Sequence, residues 1–208
     1  MTDEVALIVG GGPGISASCA RLFSEAGMQV AVAARTPNKP ALKALEKDYG
    51  VRCYQTDASN PDQVEKLFST VQNEIGSPKL VVHNIDGRSR EIFRKGVAEA
   101  DPDLVLDVVK NSAFSAFLVA QQATKRMLAS PIPENGHRGT VIFTNASAAM
   151  KGYPKSGAFA MACQGKSGLA ESMARELMPE GIHVANVPID AAIGVTQEDG
   201  SRAHWGAG

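Results

Sequence analysis

The chain is poor in the residues that mark special environments. Its 208 residues include three cysteines, one tryptophan and 5% aromatics. Cys19, Cys53 and Cys163 are odd in number and lack metal-ligand spacing, as expected of free thiols in a cytosolic, cytoplasmic protein, and no metal site is expected. No apolar run approaches the ~20 residues needed to span a bilayer. The acidic start Met1-Thr-Asp-Glu lacks the basic-then-apolar order of a signal peptide. Neither sign of charge dominates, since 21 Lys and Arg face 22 Asp and Glu for a net charge of −1. Wholesale attraction to nucleic acid or to an anionic membrane is therefore not expected. Repeats and low-complexity linkers are absent too. A composition 44% hydrophobic and 21% charged suits one globular domain, here expected over residues 1–208.

What is present begins with Val5-Ala-Leu-Ile-Val-Gly-Gly-Gly-Pro-Gly-Ile-Ser16. A short apolar run breaks into glycines and then into a helical pattern reaching about Gly27. Glycines let a backbone approach a ligand where a Cβ would clash. The turn then aims N–H groups and a positive helix end at the guest, which a phosphate suits best. Further strands are expected at Gln29–Ala34, Val51–Thr56, Leu80–His83, Thr140–Phe143 and Ile182–Val187. Helices are expected at Pro40–Asp48, from Asn60-Pro61, over about Asp103–Ala129 and over Ser156–Met178. The helix from Asn60 carries Val64, Leu67, Phe68, Val71 and Ile75 at helical spacing. Six strands separated by helices imply an α/β fold with a parallel sheet covered on both faces.

With these elements in this order, the chain resembles the short-chain dehydrogenase/reductase family from Val5 to about Ile193. The glycine signature of that family, Thr-Gly-x-x-x-Gly-Ile-Gly, is met by Val9-Gly10-Gly-Gly-Pro-Gly14-Ile15-Ser16, with Ser16 in the last glycine's place. The resemblance implies a doubly wound Rossmann-type sheet in three α/β/α layers. It implies a dinucleotide whose pyrophosphate rests on Gly10, Gly12, Gly14 and Ile15. Arg35, ending the second strand, stands where a base pairs with the extra phosphate of NADP, so NADP is expected, with NAD possible. A solvated surface arginine is the plainer alternative. Asp57 matches the aspartate that meets the adenine ring, or caps a helix. His83-Asn84-Ile85-Asp86 replaces Asn-Asn-Ala-Gly. Asn84 fits the asparagine that steadies the sheet behind the cofactor. Asp86 puts bulk and negative charge where a glycine lies by the nicotinamide ribose, a burden on cofactor binding. His83 is expected to pack or hydrogen-bond.

The departures concern chemistry. Members of the family keep a proton-donating Tyr and a Lys in Tyr-x-x-x-Lys, one helical turn or ~6 Å apart. Here Phe159 and Cys163 hold those places, with the register fixed by Ser172-Met-Ala-Arg-Glu176. The serine position falls on Ala146, with Ser147 next to it. Asn111 matches the asparagine that anchors a relay water. Ser147 and Asn111 are the remaining candidate catalytic residues. Tyr153 is expected on the surface, Lys166 as a solvated helix charge, and Cys163 as a buried, inert thiol. Ile189-Asp190 replaces a Pro-Gly pair, and the family's substrate lid and last strand have no counterpart in the polar, glycine-rich stretch after Thr196.

The resemblance thus implies an NAD(P)-binding oxidoreductase acting on a small carbonyl or alcohol through a degenerate site. The alternatives are a catalytically silent nucleotide-binding scaffold or cofactor sensor, or a metabolite-binding protein without a dinucleotide. The family's habit of pairing through its two long helices implies a homodimer or homotetramer. The small residues Ala158, Ala160, Ala162, Gly165 and Gly168 would permit close approach.

Overall fold

The computed structural model describes residues 4–134, 136–191, 193–196 and 202–204. Six parallel strands make one sheet: β1 (Val5–Val9), β2 (Gln29–Ala34), β3 (Arg52–Gln55), β4 (Pro78–His83), β5 (Gly139–Ala146) and β6 (Ile182–Ile189). Their spatial order is β3-β2-β1-β4-β5-β6. The chain leaves β1 toward β2 on one side and later returns to β4 on the other. The sheet therefore changes winding direction between β1 and β4, and a crevice opens above the carboxyl ends of the strands there.

The helices are α1 (Ile15–Glu25), α2 (Pro40–Tyr49), α3 (Pro61–Ile75), α4 (Pro102–Val109), α5 (Ser115–Ala129) and α6 (Gly157–Leu177). Alternate side chains of a strand leave opposite faces, and the core divides accordingly. Ala6 and Ile8 of β1 join Val30, Val32, Leu42 and Leu45 on one face. Val5, Leu7 and Val9 join Leu67, Phe68, Val119 and Met173 on the other. Every residue of β1 is buried, as a central strand covered on both faces requires. Helix α3 shows how local sequence sets an element. Asn60 accepts a hydrogen bond from the Gln63 amide, Pro61 fills the first turn, and five apolar residues bury one stripe. Each of those burials stabilises by about 1.5–3 kcal/mol.

The long helix expected over residues 103–129 is interrupted. A π-helical turn, Lys110–Phe114, separates α4 from α5. Gly87 abuts it at a φ of 86°, and a Cβ there would come within 2.8 Å of Ser112 Cβ and 3.0 Å of the Val108 carbonyl. The β4–α4 loop can approach the helix only with glycine at this point. The stripe of small residues on α6 is partly spent within the chain. Ala162 is fully buried with Ile92 and Val108, and a Cβ on Gly165 would meet Ala113 at 3.3 Å. Beyond β6, Gly194–Thr196 (β7) and Arg202–His204 (β8) pair antiparallel, two short strands the sequence pattern does not announce. The rest of the polar end, residues 197–201 and 205–208, lies outside the described residues.

Candidate active site

A cavity of about 870 Å³ fills the crevice. At its floor the glycine turn follows β1. Gly10 has a φ of 108°, and a Cβ there would strike the Asn84 carbonyl. Ser16, fully buried where the third glycine is expected, is turned inward. Its hydroxyl donates to the Gly10 carbonyl at 2.7 Å and accepts from the Asn84 side-chain amide at 2.6 Å. The Thr144 hydroxyl donates to Asn84 Oδ1 at 2.7 Å. One chain of hydrogen bonds therefore ties the turn to the ends of β4 and β5. Gly10, Gly11, Gly12 and Ile15 line the cavity. Gly12 has no neighbour within 4 Å of where a Cβ would stand. Gly14 does not line the cavity; it forms the N-cap of α1, without a side-chain cap. Open glycine, an uncapped helix start and an inward serine leave a cradle that fits a pyrophosphate.

Arg35, Thr36 and Lys39 line one end, with Arg35 and Lys39 exposed. Asp57 lies beside them, and its carboxylate accepts from the Ser59 amide at 2.9 Å and hydroxyl at 2.8 Å. Burial raises its pKa, but the Ser59 hydrogen bonds and the charges of Arg35 and Lys110 outweigh that and hold it below the usual range. The helix after β3 is capped by Asn60, so Asp57 is an Asx-turn acid rather than the N-cap.

The other end holds Asn111, Ala146, Phe159, Cys163 and Lys166. Asn111 sits in the π-turn, and its carbonyl accepts from Ser115 Oγ at 2.6 Å. Because that hydroxyl donates there, His83 Nε2, 2.8 Å away, carries the proton and donates to Ser115. His83 is fully buried, and burial followed by the nearby Lys166 charge pushes its pKa well down. Cys163 is buried, and burial pushes its thiol up against the opposing pull of Lys166. A high thiol pKa disfavours the nucleophilic thiolate.

Lys166 overturns the expectation of a solvated charge. It is 2% exposed, and its ammonium donates to the Ile85 and Thr144 carbonyls, each at 3.1 Å. Burial lowers its pKa, while Cys163 and Asp86 oppose the shift. Lys166 thus stands one turn past Cys163 on the buried face of the same helix. Two carbonyls from the ends of β4 and β5 hold it there.

A second residue escaped the sequence reading. Arg88 lays its guanidinium over the Phe159 ring, 3.6 Å from the centroid. Nε and Nη2 donate to the two Asp86 oxygens at 2.7 and 2.6 Å. The negative charge at position 86 is therefore matched at once by its neighbour, and the ring expected in the tyrosine's place is covered by a cation. Arg88 lies in a loop with no periodicity to flag it. Ser147 is elsewhere: it lines a second cavity, of about 580 Å³, together with Tyr153 and Phe159. Among the described residues, no cluster of His, Cys, Asp or Glu is arranged to hold a metal, and no helix is long and apolar enough to cross a membrane.

Known proteins share this arrangement of elements. A family model described as enoyl-(acyl carrier protein) reductase matches residues 10–201. The chain is 30% identical over 197 residues to the 3-oxoacyl-(acyl-carrier-protein) reductase MabA of Mycobacterium tuberculosis, covering 95% of this chain and 71% of that protein. It superposes on a short-chain dehydrogenase from Rhodopseudomonas palustris with a TM-score of 0.80 at 27% identity, over 92% of this chain and 86% of that one. A metagenomic short-chain oxidoreductase in complex with NADP matches with a TM-score of 0.80 at 21% identity, over 92% and 84% of the two chains, a likeness of fold. Of one further solved chain with this fold, the sequence spans only 65%.

Proposed function

We propose that this chain, which belongs to the short-chain dehydrogenase/reductase family of NAD(P)-dependent oxidoreductases, binds NADP in the 870 Å³ cavity and acts slowly on a small carbonyl or alcohol. One observation carries the reading. The glycine turn, the Arg35 and Lys39 cations, and the Phe159–Cys163 pair line the same crevice. Gly10, Gly12 and Ile15, with the first amides of α1 beyond Gly14, would hold the pyrophosphate. Arg35 and Lys39 would meet the extra phosphate of NADP, and Asp57 the adenine side. Asn84 would fix the wall behind the nicotinamide. When bound, the dinucleotide supplies the hydride.

The residues at the reacting end explain why turnover is slow. A benzyl ring at Phe159 has no proton to give, and Ala146 has no hydroxyl to orient a substrate oxygen. Cys163 offers a protonated thiol where relatives place an ammonium. Lys166 keeps a positive charge in the wall, but its hydrogen bonds to two carbonyls hold it in place. Asn111 and the π-turn carbonyl remain to order a water, from which the product oxygen would take its proton. Loss of a positioned general acid costs about 10²–10⁴-fold in rate.

A second reading is a silent nucleotide-binding scaffold, favoured by the Arg88 guanidinium that covers Phe159. Association through the α4, α5 and α6 side is part of the proposal. Leu106, Phe114, Phe117 and Met161 are exposed there, and Phe114 stacks on Phe117 at 6.4 Å. Titration with NADPH and NADH, followed by assay on ketone and alcohol panels, separates the readings. NADPH binding with slow turnover supports the first, and binding with none supports the second. Binding of neither nucleotide removes both, and family-typical rates would mean that the proton donor has been misplaced.

A further inference from the structure

The second cavity lies between the β4–α4 loop and the start of α6. Ile92, Phe93 and Val97 line it from the loop, Val105 from α4 and Met161 from α6. Arg88, Ala146 and Phe159 line both cavities, so the Arg88–Phe159 stack is the partition between them. That partition is electrically closed. Asp86 takes Nε and Nη2 of Arg88 and its backbone amide as well, and the guanidinium lies 3.6 Å from the Phe159 ring and 5.3 Å from that of Phe93. The other cations lining the cavity, Arg94, Lys95 and Lys155, are exposed. An ion pair held in water contributes little, whereas a charge drawn into an apolar space without a partner is costly. The inner end of the cavity therefore disfavours a charged guest. It does offer one polar group. Ser147 lines this cavity and not the first. Its carbonyl accepts from the Met150 and Lys151 amides, while its hydroxyl has no hydrogen-bond partner among the described residues.

We propose that the second cavity binds an uncharged aliphatic compound with one carbonyl or hydroxyl oxygen, which bonds to the Ser147 hydroxyl while the chain lies among Ile92, Val97, Val105 and Met161. A volume of about 580 Å³ lies within the usual range of about 300–1,000 Å³ for small-molecule sites. A serine hydroxyl both donates and accepts, so it serves a ketone and an alcohol alike. Because Ser147 follows Ala146, the ligand oxygen stands beside the partition. The chain then runs toward Val97 and Met161, which are 88% and 59% exposed and become covered when it binds. Each methylene buried there strengthens binding by up to about 4-fold. The substrate class that fits is a neutral aliphatic ketone or secondary alcohol, with oxo-acids disfavoured by the closed Arg88–Asp86 pair. That last assignment rests on the oxidoreductase reading; the binding site itself does not.

The test is calorimetric titration of the full chain, without cofactor, with 2-octanone, 2-hexanone and octanoate. The longer ketone is expected to bind about 10-fold or more tightly than octanoate, and about 2- to 4-fold more tightly per added methylene than 2-hexanone. Ser147→Ala, shown folded by circular dichroism, should weaken 2-octanone about 2- to 10-fold, the range of one neutral hydrogen bond. Since Ser147 lines the second cavity alone, that loss also locates the ligand. Should the variant not fold, the ketone-to-octanoate ratio and the chain-length series of the wild type decide. No binding of 2-octanone, octanoate bound as tightly, no gain with chain length, or an unchanged ketone affinity in folded Ser147→Ala would each overturn the proposal. A parallel NADPH titration keeps the two ideas apart. Binding of 2-octanone without NADPH binding would retain the site and sink the cofactor reading, and NADPH binding without 2-octanone would do the reverse.

Discussion

The Asn84 side-chain amide donates to the Ser16 hydroxyl at 2.6 Å, and that hydroxyl donates in turn to the Gly10 carbonyl. A position that the family signature reserves for glycine is here a buried link between the nucleotide turn and the sheet. Ser16→Ala removes the link and orphans a buried amide hydrogen. The expected loss is about 1–3 kcal/mol, or a fall in Tm of about 2–4 °C per kcal/mol for a chain of this size. Ser16→Gly should lose stability as well, although it restores the signature. Urea and thermal melts of both variants read the effect. A Ser16→Gly protein as stable as the wild type would show that the hydrogen-bond chain contributes nothing.

Acid should destabilise this protein through His83. The folded pKa lies well below the ordinary value of 6.5 because the ring is buried, with Lys166 adding to the shift. Below 6.5 the unfolded chain takes up a proton that the folded chain refuses. Stability therefore falls with falling pH until the folded pKa is reached. The slope contributed by this group approaches about 1.4 kcal/mol per pH unit. Comparing urea melts at pH 7.5 and 5.5 for the wild type and His83→Gln isolates it. The variant should show a flatter profile whatever its absolute stability, and parallel profiles would exclude His83 as the source.

Much of this fold is legible in the sequence because the signals are short-range. Val5–Val9 and Gln29–Ala34 are apolar runs bounded by glycine or polar residues, and both strands occupy those bounds. Pro40 and Pro61 open their helices. The break at Lys110–Phe114 was hidden because a π-turn adds one residue without changing the apolar character around it. For the candidate site, the sequence offers an assignment only where a motif sets the register. Phe159 and Cys163 follow from counting along α6. Lys166 also lies on that count, three positions past Cys163 on the face that buries Ala170 and Met173. A lysine on a core-facing stripe is a signal for a paired, buried ammonium, and residue type alone concealed it. Arg88 reaches Phe159 across seventy residues of chain from an aperiodic loop, and such a contact leaves no trace in one sequence.

Phe159→Tyr combined with Cys163→Lys tests the proposed degeneracy of the site. In Phe159→Tyr the new phenol keeps the ring that Arg88 covers at 3.6 Å, so a cation already stands near to favour its ionised form. Cys163→Lys places a second ammonium one turn from Lys166, and their repulsion works against it. The double variant should raise turnover on a carbonyl panel by about 10²–10⁴-fold, with Phe159→Tyr alone providing most of the gain. Steady-state kinetics with saturating NADPH measures both. No gain in the double variant, with NADPH affinity unchanged, would mean that Ala146 and the Arg88–Asp86 pair have remodelled the site beyond those two positions.

In the proposed reading, cofactor choice turns on the exposed cations at the end of β2. Arg35 and Lys39 border the same end of the cavity, and no acid stands between them in the sequence Arg35-Thr-Pro-Asn-Lys39 to hold a pair of ribose hydroxyls. On that reading the extra phosphate of NADPH would gain a charge-assisted contact there that NADH cannot make. The wild type should therefore bind NADPH about 10-fold or more tightly than NADH. Arg35→Ala should remove most of that preference by weakening NADPH alone, and Arg35→Asp should reverse it by repelling the phosphate. Enhancement of nicotinamide fluorescence on binding gives all the constants. Because both cations are exposed, the preference should shrink as salt rises. An NADPH preference that survives Arg35→Asp would assign the discrimination to Lys39, and a wild type indifferent to the two nucleotides would return Arg35 to an ordinary surface charge.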